Sequence, residues 1–283
     1  MAMKIVAVII VFMIMVFSLV TSIVPNQRGY TNTNPVAELG KEITKPLAKV
    51  DEIAPELSHV LDRVDVKLPG LSNANKQGGA MQALTDHSGA AFSNMDLPRA
   101  NFASSVVGDT QFDGALLDGA IFEGATGANA NFNGARMAKA NLNASALAGA
   151  DFAGAELREA IARAGNFNGA DFTDGDISFA SFSGAKMRQT TLTNTYAAGA
   201  IFVTTDMTQA DFTSADLTGV RFDGASLEKA TFAGANLKLA QLKGARLHGA
   251  DLSGALNLTA EQLADACADQ TTKLPEGLAA PRC

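Results

Sequence analysis

The sequence predicts an all-β solenoid of four-sided coils, and three observations predict it. Positions numbered in multiples of five from Ala90 to Ala255 number 34, and 24 of them are Ala. Two residues after each, from Phe92 to Leu252, thirty of 33 positions carry a large apolar side chain; the exceptions are Gly127, Ala162 and Ala197. The same side-chain types then recur twenty residues apart. A period of five fits neither an α-helix, at 3.6 residues per turn, nor a strand of period two.

A coil in which five residues make one side of a square accounts for all three. Two side chains of each pentad, the small and the large, turn inward, and three turn outward. Coils stack through backbone hydrogen bonds at the strand spacing of about 4.8 Å. Each repeat then buries its apolar residues only against its neighbours, as in any solenoid. One inward column reads Phe92, Phe112, Phe132, Phe152, Phe172, Leu192, Phe212, Phe232 and Leu252. The column on the opposite side reads Phe102, Phe122, Leu142, Ala162, Phe182, Phe202, Phe222 and Leu242. The two columns between them are mostly Leu and Met. Stacked aromatic ladders are the expected core, with Ala, Ser and Thr filling the space beside them. Residues 90–255 make about eight such coils, a rod roughly 40 Å long.

Segments such as Ala140 to Ala144, Ala150 to Gly154 and Ala250 to Gly254 resemble the A(D/N)(L/F)xx motif of the pentapeptide-repeat family. The resemblance implies a right-handed four-sided β-helix over residues 90–255. It also implies an alternative function, because some members are similar to duplex DNA in shape and charge and bind DNA gyrase. The Asp/Asn slot is looser here. Leu116, Ile121, Ile161, Tyr196 and Ile201 occupy it, so several apolar side chains are expected to point outward.

Residues 1–25 form a separate segment. The apolar run from Ile5 to Val24, interrupted only by Ser18, Thr21 and Ser22, is as long as a helix needs to cross a bilayer core of about 30 Å. It reads as a single-pass signal anchor or a signal peptide. Lys4 on its N-terminal side favours a cytoplasmic N-terminus and a repeat domain on the periplasmic or extracytoplasmic side. Residues 26–89 read as a helical tether and a flexible link. Val36, Ile43, Val50, Leu57, Val64 and Leu71 recur every seven positions, the spacing of an amphipathic helix or short coiled coil. Pro46 and Pro55 divide it into short helices. The stripe serves either self-association or packing on the open end of the solenoid, and Ser72 to Gly89 has no period.

After Ala255 the phase fails, and residues 256–283 read as a cap and tail. Thr259 to Ala268 reads as a helix, with Thr259 and Gln262 spaced as a capping box. Such a helix laid across the open end shields its unpaired backbone. Cys267 and Cys283 either close a short disulfide loop or stand as a buried thiol and a frayed terminal one.

Composition narrows the function. The chain has 51 Ala, 26 Gly, no Trp and a net charge of −7. That balance is unsuited to coating nucleic-acid phosphates, so no direct nucleic-acid binding is expected. His59, His87 and His248 share no metal-ligand spacing, and no nucleophile constellation, phosphate loop or dinucleotide fingerprint is present. No catalytic, cofactor or metal residues are expected. The expectation is a non-enzymatic, membrane-tethered scaffold whose rod displays outward residues to a protein partner, with homo-oligomerisation through the 36–71 stripe or the solenoid end left open. DNA mimicry is disfavoured by a diffuse charge, with Lys238, Lys243 and Arg246 making the last coils basic.

Overall fold

The computed structural model describes residues 84–283. The apolar run at 5–24, the tether stripe at 36–71 and most of the link lie outside the described residues. No helix among the described residues is long and apolar enough to cross a membrane.

The described chain winds in sides of five residues. Each side makes one parallel bridge to the side twenty residues on, as in the series Ala91, Gln111, Asn131, Asp151. The rungs are regular: Phe112 N–H donates to Asn131 O at 2.7 Å, and Asn131 N–H donates to Thr110 O at 2.9 Å. Four sides complete a coil, so residues twenty apart stack directly.

The corners explain the pentad. After each large inward residue comes a tight turn closed by the next small one, as where Ala115 N–H donates to Phe112 O at 3.0 Å. The second turn residue takes positive φ at every fifth position from Gly89 to Gly249. This is the type II arrangement, and Gly recurs there because it lacks the Cβ that disfavours φ near +60°. The Asp/Asn slot has a cause too. Asp151 Oδ1 accepts from Ala153 N–H at 2.8 Å, and Asn131 Oδ1 from Asn133 N–H at 3.0 Å, tying the outward side chain to its own turn.

The core is a pair of aromatic ladders. Rings stack at 4.9 Å from Phe112 to Phe132, 4.8 Å from Phe132 to Phe152 and 4.9 Å from Phe152 to Phe172, each within 3° of parallel. Phe102 and Phe122 stack at 4.8 Å on the opposite side, and Phe182, Phe202 and Phe222 continue that ladder. The ladders meet edge to face, as at Phe102 and Phe112. Edge and stacked pairs of this kind each contribute about 0.5–1.5 kcal/mol beyond burial. Phe92, at the first coil, is only partly buried and packs under the His87 ring. Buried hydroxyls replacing Ala turn back to the backbone: Thr195 and Thr205 donate to Phe172 O and Phe182 O, leaving no buried side-chain polar atom without a partner among the described residues.

Two of the three irregular large-slot residues are explained by their neighbours. A Cβ on Gly127 would come within 2.5 Å of the Val107 side chain and 2.9 Å of Leu147, which have closed over the gap. The Ala162 gap is taken by Phe167 from the adjacent side, whose ring meets Phe182 edge-on at 5.6 Å. Gly165 makes room for that ring, since a Cβ there would lie 2.5 Å from it. For Ala197 the structure offers no comparable account.

Both ends differ from the sequence expectation. Residues 84–89 belong to the solenoid rather than to a flexible link, for Asp86 bridges Val106 and His87 N–H donates to Val106 O. At the other end the helix is a single turn, α1, Ala260–Leu263, with the Thr259 capping box formed. It does not run on to Ala268. The chain instead resumes the bridging pattern, Arg246 pairing with Cys267 and Asp251 with Lys273, so the register lengthens from twenty to twenty-one and twenty-two residues. The physical reason is the end's unpaired carbonyls. Gln262 Nε2 donates to Leu237 O and Ala240 O, both at 2.8 Å, while Leu263 is buried on the core. One turn suffices to cover that side, and the following residues satisfy the next two by ordinary rungs.

Asp251 helps hold this last layer. The Ser253 hydroxyl, the Lys273 ammonium at 2.9 Å and the Ser253 amide lower its carboxyl to about 2. Asp269 is held well below its usual range, chiefly by the Thr271 hydroxyl, with the Gly249 amide and Thr272 assisting.

Three outcomes follow from these contacts. Gly127→Leu, which restores the repeat pattern, is expected to destabilise by about 1–3 kcal/mol in denaturant unfolding, because the space is already filled. Thr204, β-branched and at φ 55°, sits where an L side chain costs about 1–2 kcal/mol. Thr204→Gly is expected to stabilise by about 1 kcal/mol in the same measurement. A depressed carboxylate contributes stability that is full above its unfolded value near 3.8 and lost as pH falls through its folded value near 2. The protection factor of the Lys273 amide, taken relative to its intrinsic exchange, is therefore expected to fall across that window, and Asp251→Asn to abolish the step.

Candidate functional site

Eleven of the twelve ladder phenylalanines are fully buried, and Phe92 is partly so. Candidate function lies on the outward positions, and one side of the rod differs from the others. It comprises residues 115–119, 135–139, 155–159, 175–179 and 195–199, stacked in five successive coils.

Its lower part is a ladder of alternating charge. Arg136 reaches Asp118 at 2.8 Å below and Glu156 at 3.9 Å above, and Lys139 reaches Glu159 at 3.8 Å. Arg158 then pairs with Asp176. Opposite charges directly across a rung are the favourable arrangement on a sheet face, though exposed pairs of this kind contribute little individually. Above the ladder the side turns aromatic. Tyr196 is 60% exposed at the bridge position over Asp176, and Phe179 is 67% exposed at a corner. The Phe179 ring lies over Gly199, where a Cβ would sit 2.7 Å from it.

Between the charged and aromatic parts is an open polar depression of about 510 Å³, lined by Gly154, Glu156, Arg158, Asp174, Asp176, Ser178 and Tyr196. Burial pushes the Asp176 carboxyl up. The Ser178 hydroxyl and amide and the Arg158 guanidinium outweigh this and hold it below the usual range. It therefore stays ionised near neutrality, which suits an electrostatic contact and not proton transfer.

The other outward apolar positions are dispersed. Ile121, Ile161 and Ile201 occupy one column with Asn141 and Ser181 between them, and Leu116 is half-buried. They form no continuous stripe. The exposed aromatic pair was only partly visible in the sequence. Tyr196 stands out as a break in the Asp/Asn slot, whereas Phe179 sits in the turn slot and is marked only by its bulk.

A second cluster lies at the C-terminal end. Cys267 is held on a rung, its N–H donating to Ala245 O at 2.8 Å and its carbonyl accepting from Leu247 N–H at 2.7 Å. The tail returns so that Ala268 bridges Arg282, bringing Cys283 beside Cys267 with Cα atoms 5.6 Å apart and the sulfurs in bonding contact. His248 Nε2 lies 3.2 Å from Cys267 Sγ and 3.7 Å from Cys283 Sγ. Motif spacing along the chain does not reveal this trio. Counting in coils does, because His248 and Cys267 are nineteen residues apart, nearly one turn.

HetL, a pentapeptide-repeat protein involved in heterocyst differentiation regulation in the cyanobacterium Nostoc sp. strain PCC 7120, is 22% identical over 65% of this chain and 96% of its own, with a TM-score of 0.34. QnrB1, a plasmid-mediated fluoroquinolone resistance protein, is 15% identical over 68% of this chain and 94% of its own, with a TM-score of 0.46. The pentapeptide-repeat protein Rfr23 of the cyanobacterium Cyanothece 51142 is 33% identical over 35% of this chain and 63% of its own, with a TM-score of 0.29. A search of curated proteins finds no match. The pentapeptide-repeat profile matches eight copies in overlapping segments that run from residue 108 to residue 256. With the five-residue sides, the twenty-residue rungs and more than half of the sequence accounted for, this chain belongs to the pentapeptide-repeat family.

Proposed function

We propose that the protein is a non-enzymatic interaction rod, tethered to a membrane through residues 5–24, and that it docks a protein partner on the side carrying Arg158, Phe179 and Tyr196. The observation that supports this reading is the juxtaposition on one rigid side of two exposed aromatic rings, an arginine and a shallow polar depression. Tyr, Trp and Arg are enriched among the few residues that carry most of the binding energy at protein interfaces, and rigid aromatic rings give large contact area at small entropic cost. The depression is too open and too polar to enclose a small substrate, and its Asp176 carboxylate is held charged. The rod's rigidity serves docking directly, since a surface fixed by rungs on both sides loses little freedom on binding.

The alternative, DNA mimicry toward a gyrase-like enzyme, calls for a continuous acidic stripe. The charge distribution argues against it. Asp118, Glu156, Asp176, Asp206 and Glu228 are each matched by Arg136, Arg158, Arg188 or Arg246 on the same two sides.

A photo-reactive amino acid placed at position 198 of the full chain, in cells, tests the docking side. One discrete adduct is expected, lost from a chain carrying Phe179→Ala and Tyr196→Ala while its thermal unfolding is unchanged. Equal labelling from position 208, on the opposite side, would overturn the assignment.

A further inference from the structure

We propose that His248, Cys267 and Cys283 form a redox-gated site for one zinc ion: with the cysteines reduced, two thiolates and the His248 imidazole hold the metal, and disulfide formation expels it. The three ligand atoms lie within 4.8 Å of one another. Zinc bonds of about 2.3 Å to sulfur and 2.0–2.1 Å to nitrogen at a tetrahedral angle place N and S about 3.6 Å apart. The His248 Nε2 distances of 3.2 Å and 3.7 Å to the two sulfurs bracket that value.

The backbone holds two of the three ligands without the metal. His248 is on a complete coil, its carbonyl accepting from Lys229 N–H at 2.9 Å, and Cys267 is on the rung above. The third ligand is adjustable. Cys283 is exposed, on a tail anchored by the Ala268 amide to Pro281 O at 2.9 Å. Two sulfurs on one zinc stand about 3.8 Å apart, a separation that rotation of the Cys283 side chain supplies once the sulfur–sulfur bond is gone. Cys283 also leaves the fourth tetrahedral position toward solvent, where water completes the shell, as in three-ligand zinc sites. Soft thiolates with an imidazole favour zinc over magnesium or calcium.

The two states exclude one another. A phosphine gives two electrons to the sulfur–sulfur bond and takes the oxygen of one water, whose two protons complete the thiols, so that it leaves as its oxide; a dithiol instead supplies two electrons and two protons and leaves as its own disulfide. Zinc then displaces both thiol protons to solvent. Reoxidation by a disulfide oxidant moves two electrons from the thiolates to the oxidant, which leaves as two thiols with protons from solvent, while the Cys267–Cys283 bond re-forms and the ion is released.

The test uses the full chain, reduced with a phosphine that is then removed without air, and titrated with zinc against a chromogenic chelator. The reduced protein is expected to bind one zinc per chain more than the Cys267→Ser, Cys283→Ser variant, and the oxidised protein none more. His248→Asn is expected to weaken that zinc more than about tenfold. Bound zinc is expected to slow alkylation of both thiols by a similar factor. Equal zinc binding by the reduced protein and the double serine variant would overturn the site, and unaltered affinity in His248→Asn would remove the histidine from it. Retained rung exchange protection at Leu247 in each variant establishes that the coil persists.

Discussion

Each side of the coil has five residues in which to run straight, turn and pass the chain to the next side, and the turn is the demanding part. It needs a residue at positive φ followed at once by a side chain small enough to sit inside the corner. When Gly114 and Ala115 meet both demands, the Phe112 carbonyl closes the turn and Phe112 itself points at the axis. The large inward slot exists because the corner exists. The rungs follow in turn, since only identical corners let residues twenty apart lie over one another and repeat the same backbone bonds coil after coil.

That hierarchy explains which irregularities are tolerated. A lost ring is absorbed locally, because inward side chains from four sides share one narrow core. Phe167 crosses to the space left by Ala162, and Val107 and Leu147 close over Gly127. A lost turn residue has no such remedy from neighbours. Positions such as Phe179, Thr204 and Leu239 carry ordinary side chains at positive φ and rely on the rungs to hold them there. Phe179 is at once a strained corner and an exposed aromatic, the kind of local conflict that suits a functional position.

The fold was therefore largely legible, and the candidate sites were not. The inward slots announce themselves because their chemistry repeats, and α1 was visible in Thr259 and Gln262. Its length was not, because a capping box marks where a helix starts and says nothing about where tertiary rungs take over. The start of the solenoid before Gly89 is hidden for a related reason. Residues 84–89 show too few repeats for a period to stand out, yet backbone bonds to Val106 place them in the first coil.

Sequence alone determined the five-residue side, the twenty-residue stacking and the identity of the inward columns, because each depends on side-chain size at a fixed interval. It also determined the family. Tertiary structure alone decided which outward residues meet. Arg158 finds Asp176, Tyr196 stacks over Asp176, Phe179 covers Gly199, and His248 reaches Cys267 and Cys283 because adjacency in a solenoid is measured in coils. The outward slots carry little packing constraint, so their pattern leaves no period in the sequence and becomes a surface only when the coils are stacked.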